Sequence, residues 1–171
     1  MRKIKKVIMM EDNLTIPLVK APEPTKIYLG KEARMKLHRM GAKGMAVILF
    51  DEFWGPVFQY YYIKRSKLVS RLLENRAMPA ELSIIGKYVR EMVLKDGTRV
   101  LIAPFITRGQ GRDNMNFILV ELRENVKNKK RLLELLTEVA SELNGSEKID
   151  LMKISNVIRK KLIKKKNNAA K

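Results

Sequence analysis

The run Thr107-Arg-Gly-Gln-Gly-Arg-Asp113 is the first place to look for chemistry. Glycines beside arginines can wrap a phosphate in backbone N–H groups while Arg108 and Arg112 supply positive charge. The run lacks the Lys-Ser/Thr ending of a P-loop, and the residues after it read as a strand instead of the helix such a loop feeds. A flexible hairpin loop is its simplest reading; an enzyme acting on phosphorylated ligands through Arg108 and Arg112 is the sharper rival. Asp51-Glu52 offers paired carboxylates, but in a turn their ordinary work is solvation and turn hydrogen bonding. His38 is the only histidine and there is no cysteine, which removes disulfides, thiolate metal sites and thiol catalysis together. No spacing of carboxylates around His38 suggests a metal site, so it reads as a helix-surface residue. We therefore expect a non-enzymatic protein with no cofactor and no metal.

Those residues must be held by strands and helices, and the most distinctive of these is aromatic. Seven of the eleven aromatic side chains lie between Phe50 and Tyr62, in a segment that reads as two strands joined by a turn at Asp51 to Pro56. Tyr60 and Tyr62 should share one face of the second strand and Tyr61 the other. Phe50, Phe58 and alternate tyrosines are expected in the core, leaving Trp54 and Tyr61 as the residues to touch a protein partner.

Around that hairpin, Gly30 to Met40 reads as a helix with Ala33, Leu37 and Met40 on one face. Ser66 is a plausible N-cap for a helix carrying Leu68, Val69, Leu72, Leu73 and Arg76, interrupted at Pro79 and resumed over Ala80 to Ile85. Asp96-Gly97 predicts a two-residue type I′ turn between strands at Lys87 to Lys95 and Thr98 to Ile106, with Pro104 favouring an edge or an early end. A polar loop over Thr107 to Asn114 leads to a strand at Met115 to Leu122. Val126 to Leu143 is the clearest helix, with Leu132, Leu135, Leu136, Val139, Ala140 and Leu143 at helical spacing and Asn144-Gly145 to end it.

The excess charge of +18 is concentrated in the flanks. Residues 1–44 and 146–171 each carry +7, whereas residues 45–145 carry only +4. This predicts a basic, proline-containing arm (1–26), a central domain (27–145) and a basic amphipathic helix with its tail (146–171). In the last, Leu151, Ile154, Ile158 and Leu162 form a stripe beside Lys153, Arg159, Lys160 and Lys161, with Lys164, Lys165 and Lys166 beyond. Such a stripe can dock on its own domain, lie on an anionic membrane or accompany phosphate contacts to nucleic acid. The longest apolar run, Met45 to Phe50, is six residues, far below the roughly 20 that span a bilayer. Glu11 and Asp12 break the basic, partly apolar start too early for a signal peptide. A cytoplasmic protein is expected, with the tail able to hold it at a membrane surface.

The order from residue 31 to 145 is helix, two strands, helix, three strands, helix: an α+β domain with a five-stranded antiparallel sheet. That order resembles the roadblock/longin group, in which two hairpin units form one sheet that helices cover. Ile48-Leu-Phe-Asp-Glu-Phe-Trp-Gly-Pro-Val-Phe-Gln-Tyr-Tyr61 is also similar to the "FD…GP…Y" pattern of the first hairpin in longin-type proteins. The resemblance implies a dimerising adaptor or regulator that binds a small GTPase or another protein. The alternative is a DNA- or RNA-binding protein that uses its basic flanks, with Arg108, Arg112, Arg159 and the lysines near it, as phosphate clamps.

Overall fold

The computed structural model describes residues 21–74, 88–127 and 129–163. The arm before residue 21, the resumed helix at Ala80 to Ile85 and Lys164, Lys165 and Lys166 lie outside the described residues. Among the described residues ten elements succeed one another. They are β1 (Thr25–Lys26), α1 (Lys31–Arg39), β2 (Ala42–Asp51), β3 (Gly55–Tyr62), α2 (Lys67–Glu74), β4 (Arg90–Val93), β5 (Arg99–Arg108), β6 (Asp113–Leu122), α3 (Lys130–Leu143) and α4 (Leu151–Ile163). The strands form one sheet in the order β1-β3-β2-β6-β5-β4.

The expected α+β architecture is present, but the sheet has six strands and is mixed. β2 to β6 pair antiparallel, whereas Thr25 and Lys26 add a short parallel strand beside Tyr60 and Tyr61. A two-residue strand has no hydrophobic period to read, which is why the sequence pattern misses it.

The aromatic hairpin carries a β-bulge. Val47 faces Tyr60 and Ile48 faces Phe58, so Gln59 has no opposite number. One extra residue inverts the alternation beyond it. Phe58 and Tyr61 thus meet on one face, with ring centroids 6.2 Å apart, while Tyr60 and Tyr62 pack on the other. Tyr61, half-buried, therefore packs against the core on the α2 side.

Helices cover both faces. On one side α1, α3 and α4 pack over Met45, Val47, Leu101, Ala103, Ile118 and Val120. On the other, α2 brings Leu68, Val69 and Leu72 onto Ala46, Ile48, Phe58, Ile102 and Leu119. All six stripe residues expected on α3 are buried, although the helix begins at Lys130 and not at Val126. Ser66 is the N-cap of α2, its Oγ accepting from the Val69 N–H at 2.9 Å.

The Asp96-Gly97 hairpin forms with a different turn. Gly97 has φ +83° but Asp96 does not take the positive φ that a type I′ turn requires of it. The Leu94 N–H instead donates to the Thr98 carbonyl and the Gly97 N–H to the Leu94 carbonyl, giving a three-residue loop. Asp96 Oδ1 accepts from the Thr98 N–H at 3.0 Å and so favours this loop. Pro104 is tolerated because β4 pairs with β5 only as far as Ile102, leaving a local edge beyond it.

The C-terminal helix starts at Leu151, later than Ser146, and is part of the core. Ile154, Val157, Ile158 and Leu162 are buried in the α1/α3/α4 layer. Each such side chain contributes about 1.5–3 kcal/mol when buried. Transfer to a bilayer would rebury the helix but strip the same area from the domain, so docking wins. An ionic clasp seals this seam: Glu142 on α3 accepts from Lys161 Nζ at 3.0 Å and Lys160 Nζ at 3.1 Å. Hydrogen bonds from Lys161 and then Lys160 hold its pKa below the usual glutamate value. A depressed folded-state pKa contributes stability above the unfolded value and loses it as pH falls through the folded one. Acidification below the usual glutamate range should therefore loosen the α3–α4 seam, and Glu142→Gln should abolish that part of the pH dependence. Amide exchange of α4 against pH measures both.

Candidate interaction site at the hairpin end of the sheet

Because β2 lies beside β6, the β2–β3 turn and the β5–β6 turn meet at one end of the sheet. In the first turn Asp51 Oδ1 accepts from the backbone N–H groups of Phe53 (2.8 Å) and Trp54 (2.9 Å), and Gly55 at φ +76° lets the chain re-enter β3. With their amides held, Phe53 and Trp54 project outward, 77% and 40% exposed. Their rings form an edge-to-face pair with centroids 4.9 Å apart.

The second turn is tighter than expected. β5 runs to Arg108 and β6 starts at Asp113, so the polar loop shrinks to residues 109–112. The Gly109 N–H donates to the Arg112 carbonyl at 2.8 Å and is spent on closing the loop, which weakens the phosphate-cradle reading. A Cβ at Gly109 would lie 2.4 Å from Asn114 Nδ2, so a side chain there would displace that amide. Arg112 sits over the Phe50 ring, 4.9 Å from its centroid, in a cation–π contact.

Two asparagines on β6 tie the loops together. Asn114 Nδ2 reaches Glu52 Oε1 at 3.3 Å, bridging the two turns. Asn116 accepts from the Phe50 N–H through Oδ1 (2.8 Å) and donates through Nδ2 to Thr107 Oγ1 (2.9 Å). The same Nδ2 also faces the Asn114 and Phe105 carbonyls at 3.2 and 3.4 Å. The α3–α4 connection closes the third side: Asn144 Oδ1 accepts from the Ile106 N–H at 2.7 Å, and the Arg108 N–H donates to the Ser146 carbonyl at 3.0 Å.

These three connections enclose an open cleft of about 600 Å³. Phe50 and Ile149 supply apolar lining; Glu52, Glu147, Arg108 and Lys148 supply charges of both signs. Such a mixture suits a polypeptide surface better than a polyanion. No group of three or more His, Asp or Glu among the described residues is placed to hold a metal ion. His38 is on the surface of α1, away from this end, where Arg123 donates to its backbone carbonyl at 2.6 Å.

The fold thus brings three sequence-selected residues to one end, Trp54, Arg108 and Arg112, and leaves the others elsewhere. Tyr61 is on the α2 face. Arg159 is exposed on α4, while Lys160 and Lys161 are engaged by Glu142. Sequence reasoning missed Phe53, which is more exposed than Trp54, and also Tyr28 and Tyr88, 79% and 78% exposed. It also missed Asn114 and Asn116, although two asparagines flanking Met115 inside a strand are an unfavourable choice and hence a signal. No family model matches this chain, nor does any curated protein sequence or solved structure. Among the described residues no helix is long and apolar enough to cross a membrane.

Proposed function

We propose that this protein is a non-enzymatic, roadblock/longin-like adaptor or regulator. It dimerises or binds a small GTPase or another protein, and its basic tail attaches it to anionic membrane. The observation that carries the protein-binding part is the exposed Phe53–Trp54 pair, its backbone amides held by Asp51, at the end of the sheet that also carries Arg108 and Arg112. Aromatic and arginine side chains dominate binding energy at protein interfaces, and anchors with fixed backbones lose little entropy on docking. Two antiparallel units, β2–β3 and β4–β5–β6, share one sheet with helices on both faces, which supports the longin-like reading.

The test is sedimentation of the full chain to high micromolar concentration, with binding to small GTPases in their GDP and GTP forms. Replacing Phe53 and Trp54 together by serine should weaken whichever association is found by about 30-fold or more, the scale of a hot-spot loss. The melting temperature should stay unchanged, since both rings face solvent. A chain that stays monomeric and binds no GTPase, or one indifferent to this change, removes the proposal. For the tail, binding to anionic vesicles should fall when Lys164, Lys165 and Lys166 become glutamine, by about 1 kcal/mol per lysine.

A further inference from the structure

On a different face from the hairpin end, α1, α3 and α4 surround a hollow of about 270 Å³. Met40, Leu135 and Leu162 form its floor. Lys36, Arg39, Arg131 and Lys161 stand around the rim, with Glu138 as the one carboxylate among the described residues there. The cations are not equivalent. Lys36 donates to the Leu162 carbonyl and pairs with Glu32, and Lys161 is held by Glu142, so these two serve the fold. Neither the Arg39 nor the Arg131 side chain has an ion pair or hydrogen bond among the described residues. Arg131 also lies in the first turn of α3, where the helix macrodipole disfavours a cation, so helix stability does not explain its charge.

We propose that this hollow docks an acidic peptide segment of a partner protein. One large apolar side chain of the segment seats on Met40, Leu135 and Leu162, and flanking carboxylates pair with Arg39 and Arg131. The volume is below the roughly 300–1,000 Å³ of small-molecule sites and suits a single inserted side chain. The apolar floor selects against a bare phosphate, and a membrane lipid presents its charge outward with its apolar part withdrawn, the reverse of what the hollow requires. Arginine's planar fork matches carboxylates in two-point contact, and the excess of positive charge accelerates encounter with acidic segments.

The experiment is fluorescence anisotropy with the full chain and three labelled decapeptides. The first has a central Phe flanked by Asp and Glu; the second has Ala in place of that Phe; the third has Lys in place of the acids. The first should bind, the second should bind about tenfold or more weakly, and the third should not bind. Changing Arg39 and Arg131 together to Glu, both at exposed positions, should cost the first peptide about 30-fold. The Phe53/Trp54 double serine variant and the Lys164–Lys166 glutamine variant should leave its affinity within about twofold, separating this surface from the hairpin end and the tail. Equal affinity for the Phe and Ala peptides, or no response to the Arg39/Arg131 change, overturns the proposal. So does binding of anionic vesicles, but not the Phe peptide, through the same arginines.

Discussion

Asn116→Leu should cost about 1–3 kcal/mol of stability, because its buried amide accepts from the Phe50 N–H and donates across to β5. The β2–β6 ladder ends at Ile48 and Phe117, and beyond it the Phe50 N–H has Asn116 Oδ1 as its partner, 2.8 Å away. On its other side Nδ2 faces Thr107 Oγ1 and the Asn114 and Phe105 carbonyls. That asymmetry, one donor on one side and only acceptors on the other, assigns the amide orientation. Leucine keeps the approximate shape but leaves the Phe50 N–H without its acceptor, a loss of about 1–3 kcal/mol, whereas the Phe105 and Asn114 carbonyls stay within the β5–β6 ladder. For a chain of this length, about 2–4 °C per kcal/mol translates the loss into a melting point lower by roughly 5 °C. Asn116→Asp is the sharper variant. It still accepts from the Phe50 N–H but sets a carboxylate oxygen against carbonyls, so its folded-state pKa is raised and its stability is greatest below the unfolded value. The defect should deepen as pH rises through the folded pKa, a pH dependence absent from Asn116→Leu. If Asn116→Leu melts within about 2 °C of the parent, the network is not what holds this end. Since the same amide positions both turns, partner binding at Phe53 and Trp54 should weaken with it.

Gly44→Ala should be at least as damaging, and a second substitution should rescue it. Gly44 comes just after the irregularity at Lys43 in β2, where α2 begins on the opposite side, and a Cβ there would lie 2.4 Å from Ser66 Cβ and 2.5 Å from Ser66 Oγ. The obstacle is the first side-chain carbon of a buried residue, so it cannot swing away. Ser66 caps the Val69 N–H, and Glu121 Oε2 accepts from the Leu68 N–H beside it, so pushing α2 outward strains both caps. Overpacking costs about 1–3 kcal/mol and a lost cap about 0.5–2, so a loss near 3 kcal/mol is expected. Ser66→Gly removes the obstructing carbon and is one of the mildest N-cap replacements. The double variant should be about as stable as Ser66→Gly alone, a coupling of about 3 kcal/mol in a double-mutant cycle by denaturant unfolding. Additive losses would show that the contact is relieved in some other way.

What could be read directly along the chain was local. The stripe on α3 and the Ser66 cap are set within a few residues of backbone, and both lie where the sequence places them. The strands on either side of Asp96-Gly97 are likewise in place, but the turn between them differs from the expected type. Gly97 alone takes positive φ, and the Asp96 carboxylate, by accepting from Thr98, selects a three-residue loop over the two-residue one. The aromatic hairpin was legible as a hairpin, but its bulge was not. Nothing in Phe58-Gln-Tyr-Tyr-Tyr62 announces which residue will be left unpaired, and that choice sends Tyr61 to the α2 face.

The candidate site was legible as residues and not as a place. Trp54 and Arg108 stood out by type, yet only the pairing of β2 with β6 puts their turns side by side, with Arg112 folded onto Phe50. The basic stripe at the C-terminus is the same lesson in energetic form. Its pattern allows a membrane, a polyanion or its own domain as cover, since all three bury or balance the same side chains. By itself the sequence determined which segments could be strands and helices and which faces of them were apolar, because side-chain period follows from backbone geometry. Only the tertiary structure decided that α4 covers its own core and that Glu142 holds Lys160 and Lys161, while Arg39 and Arg131 remain unpaired among the described residues. Burial and charge pairing are properties of neighbours brought from distant parts of the chain, and no local pattern names the neighbour.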